Sequence, residues 1–184
     1  MTLLLVATLV ASHRVTGLSG TITLSNGHAA SHAVVFFECG EKAKPLKNVT
    51  VDQRDRKFIP HITVVTVGTR VDFPNHDTVF HNVFTEYHSE KFDFGMYARG
   101  KSKSQVFDRP GLAVLLCSIH SEMSAYVMCV DTPYYAIADG KGEFSIPTAK
   151  PGTYTVRAWH ESGEKFSEVM RLDPGQRLTV KTKR

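Results

Sequence analysis

Apolar residues along this chain occur in short runs that are rich in β-branched and aromatic side chains and alternate with polar positions. Gly, Pro, Asn and Asp interrupt the runs about every 8 to 12 residues, a spacing typical of β-sandwiches. No run has the periodicity of a long amphipathic helix, so we predict an all-β fold. The predicted strands are Gly20–Leu24, Ala33–Glu38, Phe58–Val67, Arg70–Phe73, His81–Phe84, Ser104–Phe107, Gly111–Cys117, Ala125–Val130, Gly142–Ile146, Gly152–Trp159, Glu164–Leu172 and Arg177–Lys181.

Two segments interrupt this series of strands. Around Phe94–Gly100 the alternation lapses, which predicts a short helix or an irregular loop. The segment Gly40–Asn48 contains three lysines and a proline. We interpret it as a loop or linker at a candidate domain boundary.

Length and composition limit the classes of protein that fit. The 184 residues allow one domain or two small ones. With 42% apolar and 22% charged residues, the composition fits neither a disordered chain nor a polytopic membrane protein. The net charge of +4 includes no concentrated basic patch, so we expect no nucleic-acid partner.

The N-terminal segment Met1–Ser12 is an apolar run of the length expected for the core of a signal peptide and too short to cross a bilayer. We therefore predict a signal peptide at residues 1–17, a periplasmic or otherwise exported protein, and no membrane span in the mature form. No Lys or Arg precedes Arg14. Two alternatives remain open: the start of the sequence is misassigned, or this segment is a buried strand.

The chain has three cysteines, an odd number. In an oxidising compartment the odd thiol must be reactive, bound to metal or paired between chains. Cys117 is the odd one by context, because it begins the segment Cys-Ser-Ile-His-Ser-Glu-Met, whereas Cys39 and Cys129 each end an apolar strand. A Cys39–Cys129 disulfide and two buried thiols both remain open.

Four side chains form the candidate metal site: His81, Cys117, His120 and Met123. A loop between adjacent strands can turn the last three toward one point, and His81 must then come from a neighbouring strand. Two imidazoles, one thiolate and one thioether are soft donors that suit copper in the trigonal geometry of electron-transfer sites.

This ordered set of residues resembles the cupredoxins, and its short ligand loop is most similar to the amicyanin type. The resemblance covers residues 50–132 and implies a Greek-key β-sandwich that binds one copper ion. It assigns His81 and His120 as imidazole ligands, Cys117 as the equatorial thiolate and Met123 as the axial ligand. Phe80 stands where relatives often have proline before the first histidine.

The resemblance also implies two residues that support the ligands, Asn82 and Asn75. Asn82 matches the asparagine that connects the two ligand loops, and such supporting bonds hold ligand geometry. The ligand loop lacks a second cysteine, so we expect a mononuclear site. Met96 is expected to pack rather than to bind. We interpret the remaining histidines as surface or structural residues: His13, His28, His32, His61, His76, His88 and His160.

The two ends of the chain show a second resemblance. Gly20–Leu24 with Asn26-Gly27, and the later Gly-x-Phe and Pro-Gly-x-Tyr turns, look like halves of a carboxypeptidase regulatory-like, transthyretin-type sandwich. This resemblance implies a split domain at 18–45 and 133–184, with the copper domain inserted at 46–132. A Cys39–Cys129 disulfide would then link the two points at which the chain passes between the two domains. One enlarged sandwich with additional edge strands is the alternative.

The leading functional hypothesis is an exported blue copper protein that carries single electrons. Resemblance to amicyanin-like proteins implies redox partners such as c-type cytochromes or a dehydrogenase. The alternatives are a copper-binding or copper-delivery protein without electron relay, and a β-sandwich adhesion or carbohydrate-binding module with a vestigial site. We expect no enzyme, because the sequence contains neither a Gly-x-Ser-x-Gly motif nor a P-loop.

Overall fold

A computed structural model describes residues 17–86, 91–146, 152–173 and 175–184 of the chain. The predicted signal peptide, apart from residue 17, lies outside the described residues, as do His13 and His88. The strands are β1 (Leu18–Thr23), β2 (Val34–Glu38), β3 (Val49–Thr50), β4 (Asp52–Arg54), β5 (Lys57–Ile59), β6 (Ile62–Thr66), β7 (Thr69–Pro74), β8 (Phe84–Thr85), β9 (Phe92–Asp93), β10 (Ser102–Phe107), β11 (Gly111–Leu116), β12 (Ser124–Val130), β13 (Tyr135–Ile137), β14 (Glu143–Ile146), β15 (Gly152–Trp159), β16 (Lys165–Leu172) and β17 (Arg177–Lys181). Within these ranges no helix is long and apolar enough to cross a membrane.

An outer sandwich combines strands from both ends of the chain. Its two sheets have the strand orders β14-β1-β17 and β13-β2-β15-β16. Strand β1 alternates buried and partly exposed positions, with Leu18, Gly20 and Ile22 facing the core. A Cβ at Gly20 would lie 2.5 Å from the carbonyl oxygen of Leu178 and 2.7 Å from the ring of Phe144, so only glycine fits where the strands approach here.

An inner sandwich is formed by the strands between these two sets. A sheet of order β10-β7-β3 covers a second sheet of order β6-β12-β11-β8-β9, and the β4-β5 hairpin lies beside them. Most connections cross from one sheet to the other, as in the predicted Greek-key arrangement. The core between the sheets contains the aromatic side chains of Phe58, Phe73 and Phe107 together with Cys117 and Met123.

A third apolar cluster joins the two sandwiches. It brings together buried side chains of the outer strands β2 and β15 and of the inner strands β6 and β12: Val34, Ile62, Val64, Met128, Val130 and Trp159. Because each sandwich also has its own core, the arrangement is two packed sandwiches and not one enlarged sandwich. The predicted fold class is confirmed.

The chain leaves and re-enters the outer sandwich at neighbouring points. Strand β2, which precedes the inner sandwich, pairs antiparallel with β13, which follows it. Near this junction the Phe37 N–H donates to the Tyr134 carbonyl at 2.9 Å, and the Thr132 hydroxyl donates to the Phe37 carbonyl at 2.7 Å. The Lys42 ammonium and the Asp131 carboxylate form an ion pair beside them. The predicted domain limits at 45/46 and 132/133 remain a prediction.

The structure corrects two local predictions and decides between the two alternatives of a third. The strand predicted at Phe58–Val67 is divided at Pro60 and His61, because proline has no N–H for the ladder. Only the last residue of the strand predicted at His81–Phe84 belongs to a strand, since His81 makes a single bridge with Tyr97. The segment Phe94–Gly100 is irregular and not helical.

Cys39 and Cys129 do not form a disulfide with each other. Cys129 is buried in the inner core, where its Sγ lies 3.8 Å from the Phe107 carbonyl oxygen. Cys39 is exposed at the end of β2. The two side chains therefore lie in different environments, and the alternative of two buried thiols holds for Cys129 alone.

Candidate metal centre

The segment between β7 and β8 positions the first predicted ligand, and Asn75 organises it. The Asn75 side chain is fully buried, and its Nδ2 donates to the carbonyls of Val79 at 2.9 Å and Tyr97 at 3.0 Å. Its Oδ1 accepts the Asp77 N–H at 2.9 Å. These bonds fold the chain into a compact turn that ends at His81.

Tyr97 holds the other side of this segment. Its backbone and that of His81 exchange two hydrogen bonds, of 3.2 and 2.8 Å. The Tyr97 hydroxyl donates to the Phe73 carbonyl at 3.0 Å and lies against Gln53 Nε2. Burial, the largest cause, raises the pKa of Tyr97 to about 12, so the hydroxyl stays protonated.

The loop between β11 and β12 carries the other three predicted ligands. Cys117 follows directly after β11, and the Met123 N–H donates to the His120 carbonyl at 2.9 Å, which closes the loop. Asn82 joins this loop to the first ligand segment, because its Oδ1 accepts the Ser118 N–H at 2.8 Å and the Ser118 hydroxyl at 3.0 Å. Asn82 thus connects the two segments that contain the predicted ligands, and its role in supporting them remains a prediction.

Three donor atoms converge at one point. The Nδ1 atoms of His81 and His120 are 3.0 Å apart, and the Cys117 Sγ lies 3.9 Å from the first and 3.8 Å from the second. A point equidistant from the three atoms is about 2.1 Å from each, which matches a metal–nitrogen bond and is about 0.2 Å shorter than a metal–sulfur bond. The triangle therefore fits one metal ion near its plane.

Met123 lies in the same buried cluster as Cys117 and is 1% exposed. A thioether, a thiolate and two imidazoles form the donor set that favours copper. Among the described residues, the group of His81, Cys117 and His120 is the cluster whose ligand atoms are close enough to hold a metal ion. The residues present fit a copper ion.

Asp77 belongs to this site, although the sequence analysis did not select it. Its Oδ2 lies 2.9 Å from Nε2 of His81, the ring nitrogen on the side away from the other donors. The N–H of Arg56, the largest cause, and the contact with His81 lower the pKa of Asp77 to about 2. The carboxylate is therefore ionised at neutral pH. An aspartate four residues before a histidine carries no distinguishing signal in a single sequence.

The site is buried except at His120. His81 and Cys117 are buried, whereas His120 is partly exposed. Large apolar side chains beside the donors are exposed: Phe80 by 56%, Ile119 by 53% and Met96 by 46%. Met96 therefore lies at the surface and not in the core, in contrast to the packing role expected of it.

The other histidines of the described segments lie away from the donor triangle. Two of them contact carboxylates: His76 Nδ1 lies 2.8 Å from Asp52, and His61 Nε2 lies 2.7 Å from Glu161. His61 and Glu161 belong to different sandwiches, so their contact bridges the two. These positions agree with surface or structural roles.

Comparisons with known proteins give matches to parts of the chain. The family described as polysaccharide lyase family 4, domain II, matches residues 110–176, which extend from the inner into the outer sandwich. A search of curated protein sequences finds no match.

Solved structures similar to this chain contain cupredoxin folds. A copper-containing nitrite reductase from Thermus scotoductus SA-01 is 26% identical over 53% of this chain and 25% of its own, with a TM-score of 0.45. A novel purple cupredoxin from Nitrosopumilus maritimus is 21% identical over 45% of this chain and 100% of its own, with a TM-score of 0.42. A reduced Cu(I) form of an amicyanin variant is 18% identical over 52% of this chain and 98% of its own, with a TM-score of 0.43. The match thus spans about a quarter of the reductase chain.

Proposed function

We propose that this chain is an exported mononuclear type 1 (blue) copper protein that carries single electrons between redox partners. The observation that carries the proposal is the triangle of His81 Nδ1, His120 Nδ1 and Cys117 Sγ, with the Met123 thioether in the same buried cluster. Copper bound there would supply a one-electron Cu(II)/Cu(I) couple.

The protein residues of the site favour electron transfer over catalysis on a bound substrate. Three strong donors and a thioether come from the chain, and the burial of His81, Cys117 and Met123 excludes water and small molecules. The hydrogen bonds of Asn75 and Asn82 hold both ligand segments in place without a metal. A donor set fixed in this way changes little between two metal oxidation states.

His120 provides the route by which an electron leaves the site in this proposal. It is the partly exposed member of the donor triangle, and exposed apolar side chains are next in sequence to residues of the site. Phe80 precedes His81, Ile119 precedes His120, and Met96 precedes Tyr97. Small apolar surfaces of this kind suit brief contacts between redox proteins. The partners that we propose are redox proteins such as c-type cytochromes or a dehydrogenase.

The place of action that we propose is the periplasm or another exported location. The apolar segment Met1–Ser12 supports export, and residues 1–17 would be removed. The similarity to nitrite reductase covers a quarter of that chain, and its activity is not carried over to this protein.

The experiment is a Cu(II) titration of the protein without residues 1–17, followed by visible absorption and electron paramagnetic resonance. We expect an intense blue band that saturates at about one copper per chain, with narrow parallel hyperfine splitting. Cys117→Ser should abolish the band in a folded protein. Cys39→Ser, at an exposed thiol outside the site, should leave the band unchanged.

Other results would contradict the proposal. Stoichiometric copper binding without colour and without a reversible Cu(II)/Cu(I) couple would indicate copper storage or delivery. The absence of stoichiometric binding would indicate an adhesion or carbohydrate-binding sandwich with a vestigial site. A blue band retained in Cys117→Ser would refute the ligand assignment.

A further inference from the structure

The contact between Asp77 and His81 adds a charged group to one side of the candidate copper site. The His81 side chain is fully buried, and that of Asp77 is only 10% exposed. The Asp77 Oδ2 faces Nε2 of the ring at 2.9 Å, while Nδ1 of the same ring faces the other two donors. The two nitrogens of His81 thus point to two different partners.

Backbone hydrogen bonds fix the carboxylate in this position. The Arg56 N–H donates to Oδ2 at 2.8 Å, and the Thr78 N–H donates to Oδ1 at 2.7 Å. The Asp77 N–H is itself held by Asn75 Oδ1. Because Asp77 is anchored from three sides, its orientation does not depend on a bound metal.

A carboxylate at this distance decides where the proton of a neutral imidazole resides. Since both Asp77 oxygens already act as acceptors, Oδ2 from the Arg56 N–H and Oδ1 from the Thr78 N–H, the favourable arrangement has His81 donating from Nε2 to Oδ2. Nδ1 then carries the lone pair, directed at the point between His81, His120 and Cys117. Among the described residues, His120 has no carboxylate among its hydrogen-bond partners. A carboxylate therefore fixes the position of the ring proton in His81 but not in His120.

We infer that Asp77 is a positioning residue of this site, which keeps the His81 proton on Nε2 and places a negative charge behind the ligand. The inference rests on the proposed copper function. The fixed proton makes Nδ1 available as a donor, and the charge makes the imidazole a stronger ligand. The same charge stabilises Cu(II) more than Cu(I), because the oxidised ion carries one more positive charge. Asp77 therefore lowers the reduction potential of the site.

The test compares Asp77→Ala, Asp77→Asn and the control Asp55→Asn. Asparagine at 77 keeps an oxygen that can accept from Nε2 but removes the charge, whereas alanine removes both. Asp55 is exposed in the β4-β5 turn at φ 52°, a conformation that asparagine adopts readily, so the control makes the same charge change at a solvent-exposed position. Near-ultraviolet circular dichroism and thermal unfolding of each variant report whether it is folded.

The first measurement is made on metal-free protein at neutral pH. Heteronuclear NMR of the ring nitrogens should show His81 protonated at Nε2 and not at Nδ1 in the wild type and in Asp55→Asn. In Asp77→Ala the preference should be lost. A wild-type His81 protonated at Nδ1 would overturn the inference, even if neither variant at position 77 folds.

The second measurement is made on the copper-loaded protein. Asp77→Ala should weaken Cu(II) binding about 10- to 100-fold, the usual effect of removing a partner behind a metal-bound histidine. Asp77→Asn should raise the reduction potential in voltammetry, while Asp55→Asn should leave it unchanged. Equal potentials in wild type, Asp77→Asn and Asp55→Asn would overturn the inference while leaving the copper function intact. Failure of the wild type to bind copper would refute the copper function, and the NMR result would still decide the role of Asp77 toward His81.

Discussion

Met123 is the candidate donor whose contribution can be tested most independently of the other three. It lies one residue before β12, fully enclosed in the core that also contains Cys117. A thioether is a weak axial ligand, and the axial position tunes the reduction potential of sites with two imidazoles and a thiolate. Leucine has a similar volume and no sulfur, so the exchange tests the donor and not the packing.

We predict that Met123→Leu keeps the blue thiolate–copper band but raises the reduction potential, because electron donation to the metal is lost and the apolar leucine favours the ion of lower charge, Cu(I). The free energy of unfolding of the metal-free protein should fall by less than about 1.5 kcal/mol. Voltammetry and denaturant titration measure the two quantities. Met96→Leu, at a methionine that is 46% exposed, is the control and should change neither. An unchanged potential in Met123→Leu would mean that Met123 is not the axial ligand.

The candidate donors could be proposed from sequence because their chemical types are rare and closely spaced. Cys117, His120 and Met123 occur within seven residues, after an apolar strand that fixes where they emerge. Asp77 could not be identified in this way. Acidic residues are common in turns, and the distance from its carboxylate to His81 depends on the fold of the whole segment that Asn75 organises.

Among the elements, the turn between β15 and β16 is tied to both ends of the outer sandwich through Glu164. Its carboxylate accepts the Ser25 N–H at 2.7 Å, the Ser25 hydroxyl at 2.8 Å and the Thr182 hydroxyl at 2.6 Å. Ser25 follows β1 and Thr182 follows β17, so one buried side chain connects three segments distant in sequence. These hydrogen bonds, that of Thr182 being the largest cause, lower the pKa of Glu164 from 4.5 to about 2.

We predict that Glu164→Gln destabilises the protein at neutral pH and that the difference from wild type decreases in acid. A folded-state pKa below the unfolded value stabilises the fold above pH 4.5, and this contribution is lost as the pH falls toward about 2. Denaturant unfolding at a series of pH values gives the difference directly. Glu168→Gln, at an exposed position of β16, should differ little from wild type at any pH. A constant difference between Glu164→Gln and wild type down to pH 2 would contradict the assignment.

The existence of a strand was predictable where buried and exposed positions alternate over many residues, whereas the limits of the strands were less predictable. The strands at Gly152–Trp159 and Arg177–Lys181 occur as predicted, because buried side chains recur at alternate positions in each. The short strands β3, β4, β9 and β13 were missed. They have two or three residues, too few for a periodicity. Strands β3 and β13 pair with the longer strands β7 and β2, whereas β4 and β9 pair with the equally short strands β5 and β8.

At the scale of the whole molecule, the cluster between the sandwiches couples their stabilities. Met128 from β12 and Trp159 from β15 are both buried in it. Trp159 is the single tryptophan of the chain, so its fluorescence reports on this interface alone.

We predict that Met128→Ala lowers the free energy of unfolding by about 2–5 kcal/mol, because it leaves a cavity between the sandwiches. Unfolding followed by tryptophan fluorescence should show an earlier midpoint than in wild type. Met96→Ala removes an exposed methionine and should change stability by less than about 0.5 kcal/mol. Equal midpoints for Met128→Ala and wild type would show that the interface contributes little.

The adjacent positions of β2 and β13 have a consequence for the order of events during synthesis. Strands β1 and β2 emerge from the ribosome before the other described strands, but every strand that pairs with them begins at residue 135 or later. Residues 49–130, by contrast, contain both sheets of the inner sandwich and all four candidate metal donors. The inner sandwich, which contains the candidate donors, can therefore fold before the outer sandwich is complete. Strands β1 and β2, by contrast, can pair only after about half of the chain has been synthesised behind them.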